Sequence, residues 1–126
     1  MNEFVKDLQK VERSLSNEKG MFNLFALFLR EGAPGKWDLL VAAPWVEKDK
    51  ADALKRVTKE LQKTLSKKEL LRLSRLVIID QDNPALAAFQ RNFHAEHADM
   101  EIKDSNLFGM QIKHAHVITS RRTEAA

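Results

Sequence analysis

The chain has 126 residues, 44% hydrophobic and 31% charged, with a formal net charge of +3. That length and balance point to a single soluble α/β domain with a substantial core. Cysteine is absent, which excludes disulfides, thiolate metal sites and cysteine nucleophiles and fits a reducing cytoplasm.

The modest net charge hides a segregation. Residues 48–75 carry ten basic and four acidic side chains, and residues 76–104 carry two and six. Such neighbours could attract a polyanion, or could face each other within or between subunits.

In chain order, Phe4, Val5, Leu8, Val11 and Leu15 recur at helical spacing, so residues 2–18 are expected to form an amphipathic helix stopped at Gly20. Met21–Leu29 is apolar at eight of nine positions. It is too short for a membrane helix, which needs about 20 apolar residues, and no membrane partner is expected. An aromatic-rich run of this length reads as a strand buried on both faces. Pro34-Gly35 supplies a type II turn, and Trp37–Ala43 is the return strand, ended by Pro44. Strict alternation places Phe25 and Leu27 on one face of this central hairpin and Phe28 on the other.

Asp49 is placed to cap a helix over 50–64, whose stripe is Ala53, Leu54, Val57, Leu61 and Leu65. Ser66 and Glu69 fit a capping box, so a short helix over 67–73 should follow. Arg75–Asp80 then reads as a buried strand, parallel to the strand at 37–43 through a βαβ crossover. Asn83-Pro84 starts a helix that the pattern carries to about His97. Asp104-Ser105-Asn106 reads as a turn before a final strand within 107–119, and 120–126 as a frayed tail. The expected architecture is a mixed sheet of four to five strands with three to four helices, with α+β as the variant class.

Few residues suggest chemistry. His114 and His116 alternate on the last strand, and the same alternation assigns Met110, Ile112 and Ile118 to their face. They are the candidate catalytic pair, with Asp38 as a possible acidic partner that itself needs Arg30 or Lys36. His94 and His97, at helical spacing, could complete a metal site. Packing explains these histidines as well, so no metal and no cofactor are assigned. Trp45, Asp80, Asp82 and Asn83 fall at the carboxyl edge of the parallel strands, where open α/β sheets bind ligands. An aspartate early in a central strand would resemble restriction-type nucleases, but Glu101-Ile102-Lys103 stands two elements too late for their Glu-x-Lys. Lys55, Lys59 and Lys63 repeat every four residues and could contact a nucleic-acid backbone, although no base-reading side chains interleave them.

These features describe a non-catalytic binding or assembly module. The alternatives are a hydrolase or phosphoryl-handling enzyme built on His114 and His116, and a nucleic-acid-backbone binder. The final strand carries little charge and reads as an unprotected edge. A homodimer is therefore expected there, with His114 and His116 at or near its interface and weakened as they are protonated.

Overall fold

The computed structural model describes residues 2–122. Its elements are α1 (Asn2–Lys19), β1 (Leu24–Arg30), β2 (Trp37–Ala42), α2 (Pro44–Lys48), α3 (Lys50–Thr64), α4 (Lys67–Arg72), β3 (Leu73–Ile78), α5 (Pro84–Asn92), β4 (Met100–Leu107) and β5 (Met110–Ser120). The five strands form one mixed sheet in the order β3-β2-β1-β5-β4. β2 and β3 are parallel, joined through α2, α3 and α4, and the other pairs are antiparallel.

The β1–β2 hairpin lies at the centre, as its composition predicts. The Lys36 N–H donates to the Ala33 carbonyl at 3.3 Å, and Gly35 has φ 74°, the positive value that a type II turn needs after proline. Phe25, Leu27, Leu39 and Val41 pack beneath Phe4, Leu8, Val11 and Leu15 of α1 and Ala53, Val57 and Leu61 of α3. On the other face, Ala26, Phe28 and Leu40 pack with Leu86 and Phe89 of α5. Both faces of the hairpin are therefore covered. The caps also form as expected: Asp49 accepts from the Asp52 amide at 3.1 Å, and Ser66 and Glu69 complete their capping box.

Five expectations are corrected. The strand expected to be buried over Arg75–Asp80 is β3, Leu73–Ile78, an edge strand with no fully buried side chain, because nothing pairs with it beyond β2. The helix begun by Asn83-Pro84 stops at Asn92, not near His97. Tertiary pairing takes over: Ala95 and Ser120 exchange backbone hydrogen bonds at 3.0 and 2.9 Å, and the Ala98 N–H donates to the Ile118 carbonyl. The turn expected at Asp104–Asn106 lies inside β4. The reversal is at Phe108-Gly109, where φ values of 52° and 73° mark a type I′ hairpin turn. Phe108 tolerates that backbone while its ring meets Phe28 and Phe89 at 6.0 and 5.3 Å.

Because β4 pairs with it, β5 is an interior strand, flanked by β1 and β4. The supposed edge is thus covered within the chain. Ser120 belongs to β5 and is fully buried, so that part of the tail is not frayed; residues 123–126 lie outside the described residues. Finally, α2 is an element that the sequence reading did not include. Its N-cap position, Ala43, makes no side-chain cap, so only Pro44 signals it.

Candidate metal centre

Two register irregularities in β5 determine which side chains meet. The pairing with β1 shifts between Phe25 and Ala26 and between Leu29 and Arg30. Each inserts a residue and inverts the alternation beyond it. Ile112 and Met110 consequently pack with Phe28 and Leu40, not beside His114 and His116 as strict alternation predicts. The histidines keep the α1 face, with Ile118 in the core there.

On that face Glu101 of β4 is directly opposite His116, and Lys103 is opposite His114. The imidazole centroids are 4.6 Å apart, and the buried Trp37 ring lies 5.8 Å from His114 and 5.6 Å from His116. One Glu101 carboxylate oxygen lies 3.6 Å from His114 Nε2 and 3.9 Å from His116 Nδ1. Glu101, His114 and His116 each offer one ligand atom, all within 4.8 Å of one another. Tetrahedral zinc with bonds near 2.0–2.2 Å spaces its ligands at roughly 3.3 Å, so modest side-chain rotations would close the set.

His116 has only 2% of its side chain exposed. Its Nδ1 is 2.8 Å from an Asp99 carboxylate oxygen. A carboxylate accepts, so Nδ1 is the donor in this contact. The Nε2 atoms of both His114 and His116 are enclosed and have no hydrogen-bond partner. Burial pushes the His114 pKa down, and the neighbouring His116 adds to the effect, against a smaller opposing pull from Glu101. Neutral imidazole is the form that binds metal.

The segment just before Asp99 is held by a network along the middle of α1. The Gln9 side chain donates to the Ala98 carbonyl at 2.8 Å. Fully buried Glu12 accepts from Thr119 at 2.9 Å and from Ser16 at 3.1 Å, and lies 2.6 Å from His97 Nδ1. His97 is therefore held by Glu12, while His94 is exposed. The expected His-x-x-His helix face does not form.

The other candidates lie apart. Asp38 is 1% exposed and on the opposite face, bound by Arg30 Nε at 2.8 Å and by Arg75 at 2.8 and 3.2 Å. Arg30 is the expected partner and Arg75 an additional one; Lys36 instead donates to the Leu71 carbonyl. Asp80 pairs with Lys50 at 2.5 Å, and Glu47 accepts from the Gln81 amide. Asn83 caps α5 through the Ala85 amide, and Asp82 is exposed. Trp45 meets Phe22 at 5.6 Å and lines a cavity of about 400 Å³ with Lys19, Met21 and Arg121, whose lining does not include Asp80, Asp82 or Asn83. Lys55, Lys59 and Lys63 remain exposed along α3.

Glu101 and Asp99 are the site residues that sequence reasoning did not connect to the histidines. Only the His-x-His alternation pointed to this region, because Glu101 comes from β4 and Asp99 from the segment just before it, and no local pattern announces the pairing of β4. No helix among the described residues is long and apolar enough to cross a membrane. Set against protein-family models, curated proteins and solved structures, the chain has no match.

Proposed function

We propose that this chain is a non-catalytic binding module in which Glu101, His114 and His116 hold a divalent transition ion such as Zn²⁺. The observation that carries the reading is the convergence of Glu101, His114 and His116, which bring one ligand atom each within 4.8 Å of one another. The enclosed His114 Nε2, which has no hydrogen-bond partner and stands 3.6 Å from Glu101, agrees with it, because buried polar atoms are normally satisfied. Two imidazoles and a carboxylate suit zinc, and Asp99 is the outer carboxylate that orients a ligating histidine. Asp99 beside His116 would also serve a hydrolase or phosphoryl-handling enzyme. The 2% exposure of His116 favours an ion over a substrate. A cytoplasmic, homodimeric form belongs to the same reading.

Titration with Co²⁺, read by its visible absorption, and with Zn²⁺ by calorimetry tests the proposal. One ion per chain is expected, with quenching of Trp37 by Co²⁺. His116→Ala and Glu101→Gln should each lower affinity at least tenfold. Binding that both variants leave unchanged would overturn it.

A further inference from the structure

The sheet has two edges, and they differ. β4 is blunted by Glu101, Lys103 and Asp104, and Asp104 has φ 46°, which disturbs a flat pairing surface. β3 has the sequence LSRLVI, a single charge and no proline. Leu76, Val77, Ile78 and the following Ile79 are all half-buried along it, and Leu71 just before it is 72% exposed. Unprotected apolar edges of this kind are pairing surfaces that proteins otherwise blunt or cover.

We infer that two copies of this chain join along β3, antiparallel about Val77, into one continuous ten-stranded sheet. The backbone directions fix this register. The Ile79 N–H donates to the Val41 carbonyl of β2 at 2.9 Å. Alternate residues share a direction, so Val77 also turns its amide inward while Leu76 and Ile78 turn theirs outward. Centring the two-fold on Val77 sets Leu76 against the partner's Ile78. Both are outward-facing residues, so each pair exchanges two hydrogen bonds.

Side-chain faces match as well. Leu76 and Ile78 pack on the α1 face, Val77 and Ile79 on the α5 face, and residues opposite each other in the dimer stay on one face. Charge is complementary too. The approach to β3 carries Lys67, Lys68 and Arg72, and its exit carries Asp80 and Asp82. Antiparallel pairing brings the basic approach of one copy to the acidic exit of the other. This gives the segregated charges of residues 48–75 and 76–104 a role. The surface lies at the opposite end of the sheet from Glu101, His114 and His116, so the inference stands or falls independently of the metal.

The absence of cysteine makes cross-linking unambiguous. Val77 would face its own copy as a non-hydrogen-bonded pair with Cα atoms about 4.5 Å apart, within disulfide reach. Val77→Cys should therefore oxidise to a covalent dimer of twice 14.5 kDa, whereas Ser105→Cys on β4 should not. The unmodified chain should sediment as a dimer at high micromolar concentration and dissociate further as salt is raised. Ile78→Pro removes one outward amide and should give a monomer, with far-ultraviolet circular dichroism checking its fold. A monomeric unmodified chain, or cross-linking through Ser105→Cys in preference to Val77→Cys, would overturn the proposal.

Discussion

The Asp99 carboxylate stands 2.8 Å from Nδ1 of His116, which is 2% exposed, on a neighbouring strand. That contact places a proton on Nδ1, because an ionised carboxylate can only accept. It also orients the ring. Asp99→Asn, which can still hydrogen-bond but carries no charge, should weaken Zn²⁺ binding by roughly 10–100-fold, the usual effect of losing an outer-shell partner. Competition with a chromophoric chelator measures this. An affinity equal to the parent's would remove Asp99 from the site.

Asp38 holds two guanidiniums while itself 1% exposed. Removing one arginine leaves the carboxylate paired with the other. Removing both strands a buried charge, so Arg30→Ala with Arg75→Ala should cost about 3–5 kcal/mol, more than the two single losses added together. Urea midpoints of the three variants give the comparison, and simple additivity would contradict it.

Arg56 joins α3 to α1 by hydrogen bonds to Glu18, and it also pairs with Glu60. The Arg56 hydrogen bond holds the Glu18 pKa below its ordinary 4.5. A carboxylate depressed in the folded state binds fewer protons there than in the unfolded chain. Its contribution is thus complete above about 4.5 and is lost as pH falls through the lower folded value. Glu18 is exposed, so the effect should be shallow and salt-sensitive. Glu18→Gln should flatten the urea midpoint against pH in that acid window, and superimposable profiles would count against the pairing.

Phe25 and Phe28 are fully buried on opposite faces of β1. Each replaced by Ala should cost roughly 3–5 kcal/mol, since each leaves a cavity in a separately covered layer. Chemical denaturation of the two variants tests it. A loss under about 1 kcal/mol at either site would mean that its layer is loosely packed.

Local signals settled much of the fold. The α1 stripe, the Pro34-Gly35 turn, the Asp49 cap and the Ser66–Glu69 capping box were all legible. In each, residues within a few positions satisfy one another's backbone or share one apolar face. The central place of the hairpin followed from its continuous apolar run, because only burial on both faces stabilises such a strand.

Tertiary pairing decided the rest. α5 ends early because residues 95 and 98 gain backbone partners on β5, and β5 becomes interior because β4 folds back at Phe108-Gly109. The residue inserted in β5 between His114 and Ile112 moves Ile112 away from the histidines, an inversion that a period-two pattern does not record. The candidate site depends most on these long-range choices. His114 and His116 are visible as a pair in the sequence, but Glu101 and Asp99 reach them only once β4 is in register. Strand register is fixed by the summed packing of both faces, not by any residue's neighbours in the chain.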